Sequence, residues 1–296
     1  MMFSNYHTHT TYCDGANTPE ELVLEAIRLG CPELGFSGHS HLTEHEGSMT
    51  EQGTLDYCAE IRRLQKQYAD QITIHLGIEQ DIYSGIDRSL YDYVIGAVHW
   101  IEKNGKLYAV DDCRETFVHT VNTVYNGDFY ACVEDYYAVV ATLWDRTHCD
   151  VIAHFDLITK YNEGNVLFDS EHPRYLAAAD RALDRLIECP VLLEVNTGAM
   201  ARGYRSAPYP DRRILRRWLD AGKELVFASD CHDRRFLLHG FEAMKDIPHR
   251  ERLCKPKTRE RKCSSRAVLR MATGSAAWRG ERCSSPPRWK ENAGKS

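Results

Sequence analysis

The sequence lacks the features that would place a protein in a membrane or outside the cell. No run of 18 apolar residues occurs among its 296 residues, so no transmembrane helix is predicted. The N-terminal stretch MMFSNYHTHT has neither the basic nor the apolar region of a secretory signal peptide. The 11 cysteines form no Cys-x-x-Cys pair, and an odd number does not suit a disulfide scaffold. We therefore expect a cytoplasmic protein with reduced thiols and no thiolate zinc site.

Positive charge is scarce in most of the chain and concentrated near its C-terminal end. Residues 1–246 contain 23 Lys and Arg against 39 Asp and Glu, whereas residues 247–296 contain 14 against 4. An acidic body suits metal cations and disfavours general binding to nucleic acid. The basic tail has no clear hydrophobic period and is rich in Arg, Ser and Pro, so it is predicted to be disordered. The sequence thus divides into a domain, 1–246, and a low-order tail, 247–296.

Strands and helices are predicted to alternate along the domain. Thr18-Pro19-Glu20-Glu21 has the cap, the proline and the acidic first turn of a helix that ends at Gly30. Strands are predicted at MFSNYHTHT, ELGFSGHSH, ITIHLGIEQD, YDYVIGAVHW, DVIAHFD, VLLEVNTG and ELVFASDCH, and further helices at 55–68, 128–146, 173–188 and 211–221. Such alternation indicates a parallel sheet. About seven strands with mostly short connections favour a closed or distorted (β/α)7 barrel over an open sheet.

Histidines and carboxylates recur where the predicted strands end. His7 and His9 are two residues apart in the first strand, so their imidazoles project from one face. In barrels of this type the active site is built at the C-terminal ends of the strands. Imidazole and carboxylate are the ligands expected for Zn, Mn or Fe in hydrolytic sites. The candidate ligands are His7, His9, Asp14, His39, Glu79, His99, His154, Asp230 and His232.

Nine candidate ligands exceed what one ion needs, so two or three divalent ions are implied. Glu79 can bridge two of them, since a carboxylate has two oxygens. A multinuclear site suits hydrolysis of phosphate esters. Three cationic residues beyond the strand ends could clamp a substrate phosphate: Lys160, Arg202 and Arg205. The expected partner is therefore a small-molecule phosphate ester, and neither a membrane nor nucleic acid.

The other histidines lack this pattern. His41 and His45, in GHSHLTEHEG, are open to three interpretations: metal ligands, substrate contacts or solvated loop residues. His75 lies inside a predicted strand and is interpreted as structural. Surface or packing roles are expected for His119, His148, His172, His239 and His249.

The ordered motifs resemble a known family. They are H-x-H-x4-D from His7 to Asp14, GHS at His39, GIE at Glu79, GAVHW at His99, AHFD at His154 and SDCH at Asp230 and His232. From residue 3 to about 246 this order resembles the PHP (polymerase and histidinol phosphatase) superfamily. The resemblance implies a distorted seven-stranded (β/α) barrel that holds three metal ions.

The resemblance also implies how the ligands are shared. The first ion would be held by His7, His9, Glu79 and Asp230, which are the expected catalytic residues; the second by Glu79, His99 and His154; the third by Asp14, His39 and His232. The family commonly has Asp before the motif histidine, whereas this chain has Gly38. Since His39 itself is the motif ligand, little loss is expected, although a hydrogen-bonding partner close to the ligands would be missing.

Within the superfamily the chain is most similar to the stand-alone histidinol-phosphate phosphatases, through GFSGHSHL, GIEQDIY and EVNTGAMARGYRSAPYP. That similarity implies hydrolysis of L-histidinol phosphate in histidine biosynthesis, with Arg202 or Arg205 at the phosphate. Two alternatives stay open: a PHP phosphodiesterase, nuclease or phosphatase acting on nucleotides, and a non-catalytic metal-binding PHP module. The residues alone predict only a multinuclear metal phosphoesterase.

The tail departs from the family after FEAMKD, where a helix end and a closing strand would follow. We interpret it as a frameshifted or otherwise replaced C-terminus, with a nucleic-acid-binding arm as the alternative. Loss of the closing strand would expose an edge of the barrel.

Overall fold

A computed structural model describes residues 2–250 and Leu253. Six parallel strands form one sheet in the order β1-β2-β3-β6-β7-β8. They are β1 (Glu33–Phe36), β2 (Thr73–Asp81), β3 (Tyr93–Ala97), β6 (Val151–Ile152), β7 (Leu192–Asn196) and β8 (Leu225–Ala228). The antiparallel hairpin of β4 (Trp100–Lys103) and β5 (Lys106–Ala109) lies outside that sheet and was not predicted. Its turn is Asn104-Gly105, both at positive φ, which is a strong hairpin signal in a sequence.

The helices that connect the strands are α1 (Pro19–Arg28), α2 (Glu51–Gln67), α3 (Arg114–Val124), α4 (Phe129–Val140), α5 (Leu143–Thr147), α6 (Pro173–Ile187), α7 (Gly198–Ala201) and α8 (Arg212–Asp220). Thr18 caps α1 through a reciprocal capping box with Glu21. The continuous helix predicted over 128–146 is wrong, because the chain turns between α4 and α5. There the Thr142 hydroxyl and backbone N–H both donate to the carbonyl of Val139, which ends α4.

The first segment, residues 5–9, completes the barrel between β1 and the end of β8. On one side Asn5 donates its backbone N–H to the Glu33 carbonyl at 3.2 Å, and Gly35 donates to Asn5 at 2.8 Å. On the other side His9 donates to the Cys231 carbonyl at 2.8 Å. The segment makes only isolated bridges, although it runs parallel to both neighbours. The sheet thus curls into a distorted TIM-like barrel, which confirms the predicted fold class.

Residues that follow the predicted domain boundary pack against the lower edge of the barrel, where the strands begin. Arg250 donates its backbone N–H to the Leu225 carbonyl at 2.7 Å, and the His249 ring stacks on Phe227 with centroids 3.8 Å apart. The backbone N–H of Leu253 donates to the Tyr6 hydroxyl at 3.1 Å. These residues cover β8 beside the first segment. The predicted disorder and replacement of the tail concern mainly residues 251, 252 and 254–296, which lie outside the described residues.

A buried tyrosine links the first segment to the sheet. The Tyr93 hydroxyl donates to the Tyr6 carbonyl at 2.5 Å, and the Phe36 carbonyl lies 3.1 Å from the same oxygen. A Cβ added to Gly77 would overlap the Tyr93 ring, so glycine is required for this close approach.

We expect Tyr93→Phe to lower the free energy of unfolding by about 1–3 kcal/mol, because the buried Tyr6 carbonyl loses its donor. Urea unfolding followed by circular dichroism measures this change. Tyr108→Phe, at a partly exposed position in β5, is the control and should shift stability by less than about 0.5 kcal/mol. Equal stability of the two variants would show that the Tyr93 hydroxyl does not stabilise the barrel.

Candidate metal centre

All nine candidate ligands meet at the C-terminal end of the barrel. His7 and His9 lie on the first segment, and Glu79 lies within β2. The ligands that directly follow β1, β3, β6 and β8 are His39, His99, His154 and the pair Asp230 and His232. Asp14 enters from a tight turn after the first segment, where the backbone N–H groups of Cys13 and Gly15 both donate to the Thr10 carbonyl. The short strands and their register therefore bring together side chains that are more than 200 residues apart in sequence.

Glu79 occupies the middle of the cluster and is 1% exposed. Its Oε1 lies 3.0 Å from His154 Nε2 and 3.4 Å from His99 Nε2. Its Oε2 lies 3.4 Å from His7 Nε2 and 3.6 Å from His9 Nε2. The same Oε2 lies closest to His39 Nδ1, at 2.8 Å. One carboxylate thus turns each of its oxygens toward a different group of imidazoles, as a carboxylate that bridges two cations does.

The first group of ligand atoms fits a metal ion better than it fits hydrogen bonds. Nε2 of His7 and of His9 is fully buried, and neither makes a hydrogen bond within the part of the chain that the structure describes. Asp230 Oδ1 lies 3.7 Å from the first and 3.2 Å from the second. Two ligand atoms each ~2.1 Å from a tetrahedral ion are about 3.4 Å apart, which is close to these separations.

A further group lies nearer the mouth of the site. Asp14 Oδ2 is 3.2 Å from His232 Nε2, and Asp14 Oδ1 is 3.7 Å from His39 Nε2. The His9 and His232 rings stack with centroids 4.0 Å apart. Three sets of atoms are close enough to share an ion: His9, Asp14, His39 and His232; His7, His9 and Asp230; His39, Glu79 and His99. His9 and His39 each belong to two of these sets. In the ligand sharing that the resemblance implies, the shared ligand is instead Glu79.

Carboxylates that are not themselves candidate ligands hold several ligand side chains in place, and no such role was predicted for these carboxylates. His7 Nδ1 lies 2.8 Å from Glu194 Oε1, and His99 Nδ1 lies 3.2 Å from Asp81 Oδ2. Both carboxylates lie in strands, and Asp81 is two residues after Glu79. Spacing on one face of a strand could therefore have identified Asp81.

Gly38, the residue before the candidate ligand His39, lies beside the thiol of Cys13. A Cβ on Gly38 would lie 3.2 Å from Cys13 Sγ, so the thiol occupies the adjoining space. The same sulfur lies 3.6 Å from His9 Nδ1. Cys13 thus contacts a candidate ligand directly.

Burial and charge act in opposite directions on the ligands. Burial lowers the pKa of His7, but the carboxylates of Glu194, Glu79 and Asp230 outweigh it, and the pKa lies well above its usual value. Burial also lowers the pKa of His9, to about 3, with the nearby imidazoles of His232 and His39 adding to the effect. His9 is therefore neutral and ready to act as a ligand, whereas His7 carries a second ring proton, and with it a positive charge, in the metal-free protein.

Metal binding is expected to release protons, because an imidazole ligand must give up the proton on the atom that binds. The pKa of His7 is raised, so below that pKa the metal competes with a proton. The apparent affinity for zinc should thus rise with pH, about tenfold per unit for each proton released. Calorimetric titration in buffers of different ionisation enthalpy measures the proton count. An affinity that stays constant from pH 6 to pH 8 would contradict a protonated His7.

The three cationic candidates already have partners in the protein. Arg202 donates from Nη2 to Asp230 Oδ2 at 3.0 Å, and Lys160 Nζ donates to the Asp111 carbonyl oxygen at 2.6 Å. Arg205 donates to the Thr159 hydroxyl and stacks over the Tyr209 ring, 4.7 Å from its centroid. Arg202 therefore holds a candidate metal ligand in place, and Lys160 and Arg205 lie on loops that follow β6 and β7.

Two other histidines differ clearly in their surroundings. The His45 ring packs edge-on against His39 with centroids 4.6 Å apart, and burial lowers its pKa to about 4. His45 is thus half-buried beside a candidate ligand, which favours a ligand or a substrate contact over a solvated loop residue. His75 lies toward the opposite end of the barrel, with Nε2 2.9 Å from Glu33 Oε2.

Comparisons with known proteins agree with this geometry. The model of the PHP domain family matches residues 5–198. The histidinol-phosphatase of Bacillus subtilis is 26% identical over 262 residues, which span 80% of this chain and 96% of that protein.

Two solved structures share the fold. One, a candidate histidinol phosphatase from Listeria monocytogenes, has a TM-score of 0.72 at 20% identity over 81% of this chain and 99% of its own. The other is the histidinol phosphate phosphatase from Lactococcus lactis, solved with zinc, L-histidinol and phosphate. It has a TM-score of 0.55 at 18% identity, over 84% of this chain and 94% of its own. No helix in the described part of this chain is both long and apolar enough to cross a membrane.

Proposed function

The chain belongs to the PHP domain family, and from that membership we propose that it is a metal-dependent phosphomonoesterase that hydrolyses L-histidinol phosphate to L-histidinol and phosphate. The observation that carries the chemistry is the orientation of Glu79, with one oxygen toward His7 and His9 and the other toward His99 and His154. The substrate is proposed from relatives named as histidinol-phosphatases. The reaction would serve histidine biosynthesis.

The ligands suit two or three divalent ions. By the ligand sharing that membership of the family implies, His7, His9, Glu79 and Asp230 would hold the first, Glu79, His99 and His154 the second, and Asp14, His39 and His232 the third. We propose zinc as the leading candidate, because the Lactococcus protein contains it, with Mn and Fe also compatible with these donors. Such ions, when bound, neutralise phosphoryl oxygens and lower the pKa of water at the site.

The residues of the chain then hold the substrate and the ligands in place. Arg202 fixes Asp230 through the contact between Nη2 and Oδ2, so that Oδ1 faces His7 and His9. Lys160 and Arg205, on the loops that follow β6 and β7, are proposed to bind the substrate phosphate, because cationic side chains pair with phosphoryl oxygens. Burial of Glu79, His7 and His9 keeps bulk water away from the centre, which strengthens each electrostatic contact.

Phosphate release from histidinol phosphate, beside a panel of nucleoside monophosphates and a dinucleotide, tests this proposal. We expect histidinol phosphate to have the highest kcat/KM, and activity to disappear after treatment with a chelator and return with zinc. A preference for a nucleotide would replace the proposed substrate. Absence of turnover by protein with its full metal content would instead favour a non-catalytic binding module.

A further inference from the structure

Glu194 lies next to the candidate metal centre and contacts ligand residues of two different proposed ions. It sits on β7, is fully buried and was not among the candidate ligands. Its Oε1 lies 2.8 Å from His7 Nδ1, and its Oε2 accepts the backbone N–H of His154 at 3.2 Å. His7 belongs to the first proposed ion and His154 to the second, so one carboxylate reaches both.

A chain of hydrogen bonds sets the direction of the bond between Glu194 and His7. The backbone N–H of Gly198 donates to Asn196 Oδ1 at 2.8 Å, which fixes the orientation of that amide. Asn196 Nδ2 must then point the other way, and it donates to Glu194 Oε1 at 2.8 Å. A carboxylate oxygen that accepts from Asn196 also accepts from His7, so Nδ1 of His7 carries the hydrogen.

This arrangement leaves Nε2 of His7 as the atom that faces Glu79 and Asp230. That atom has no hydrogen-bond partner among the described residues, so it is the nitrogen that would exchange its proton for a cation. Glu194 itself is 2.8 Å from the opposite nitrogen, on the far side of the ring.

We propose that Glu194 is a positioning residue for the metal centre, which selects the metal-binding tautomer of His7 and at the same time fixes the backbone that carries His154. The proposal rests on the proposed metal centre but not on the identity of the substrate. Loss of this carboxylate should therefore weaken binding at two ions and not at one.

The glutamine variant tests the hydrogen-bond directions with little change in volume. All three groups around Glu194 donate, and an amide offers one acceptor atom and one NH2 group. In Glu194→Gln the NH2 group must therefore oppose either His7 Nδ1 and Asn196 Nδ2 or the backbone N–H of His154. We expect zinc affinity, measured by competition with a chromophoric chelator, to fall about 10- to 100-fold.

Glu33→Gln is the matched control. Glu33 is also a buried glutamate beside a histidine, since its Oε2 lies 2.9 Å from His75 Nε2 and accepts from the Tyr6 hydroxyl at 2.7 Å. It lies at the beginning of β1, away from the metal centre. Glu33→Gln should lower the melting temperature of the metal-free protein and leave zinc affinity within about twofold of the wild type.

These outcomes distinguish failure of the proposed metal centre from failure of the role proposed for Glu194. Wild-type protein that binds no zinc would defeat the metal centre itself. Wild-type binding together with equal affinity in Glu194→Gln, or with equal losses in Glu194→Gln and Glu33→Gln, would overturn the role of Glu194. If Glu194→Gln does not fold, Glu194→Asp keeps both acceptor oxygens at a shorter reach. It should then bind zinc more weakly than the wild type, and unchanged affinity there would also overturn the proposal.

Discussion

Replacement of Glu79 by Gln is expected to reduce kcat on histidinol phosphate by about three orders of magnitude and to remove at least one metal ion from the purified protein. An amide has one oxygen in place of two, so it cannot face both groups of imidazoles as the carboxylate does. Metal ions contribute several kcal/mol to stabilisation of the transition state, and 1.36 kcal/mol corresponds to tenfold in rate, so loss of one ion gives about this factor.

The electrostatics of Glu79 support an effect of this size. Burial raises its pKa, but the imidazoles of His7, His39 and His99 outweigh burial and hold the pKa well below its usual value. The Glu79→Gln substitution would leave those imidazoles without their shared anion. Phosphate release and metal analysis by plasma emission measure both consequences.

Glu102→Gln, on the exposed face of β4, is the control and should keep wild-type rate and metal content. A Glu79→Gln protein with unchanged metal content and kcat would remove the main support for a bridging carboxylate.

The second large effect is expected for Asp230→Asn. The Asp230 backbone has φ of 48°, a region in which Asn is well tolerated, so this substitution changes the side chain without straining the chain. Burial raises the pKa of Asp230, while Arg202 and His7 lower it, and the net pKa lies well below its usual value. The variant loses an anion that His7, His9 and Arg202 share.

We expect Asp230→Asn to lower kcat by about 100-fold or more and to weaken binding of the first ion. Asp233→Asn, three residues further on and paired with Arg235, is the matched control and should retain activity. Asp230→Ala should in addition lose stability, because alanine at positive φ is strained. Normal zinc affinity in Asp230→Asn would place the first ion elsewhere.

Much of the barrel could be predicted from sequence because its signals are local. The two-residue spacing of His7 and His9, the cap at Thr18 and the polar residues at strand ends each depend on neighbouring positions. The same local reasoning failed at 128–146, where α4 and α5 have a nearly continuous apolar pattern and the interruption depends on Thr142. It also omitted α3 and the hairpin, despite the Asn104-Gly105 turn.

The residues that hold the ligands in place could not be predicted from such local signals. In the sequence, Glu194 is one polar residue in a predicted buried strand. Its contact with His7 is visible only in the folded barrel, where β7 lies beside β6 and close to the first segment. Arg202 shows the same limit: its charge predicts a phosphate contact, which stays a prediction, and only the structure shows that it also donates to Asp230 Oδ2. Residues that act through a ligand are recognised by distances across the barrel, which sequence spacing does not contain.

The closure of the barrel by the first segment has a consequence for how the chain reaches its folded state. Asn5 Nδ2 donates to the Ser229 hydroxyl, and the Tyr6 hydroxyl accepts from Leu253, so contacts join positions 224 and 247 residues apart. Such distant pairings slow folding, since a long loop must be closed before they form. During synthesis His7 and His9 leave the ribosome well before Asp230 and His232, so the ligand set would be complete only once the residues after β8 have emerged. An ion that needs all of these ligands would therefore bind late in the maturation of this protein.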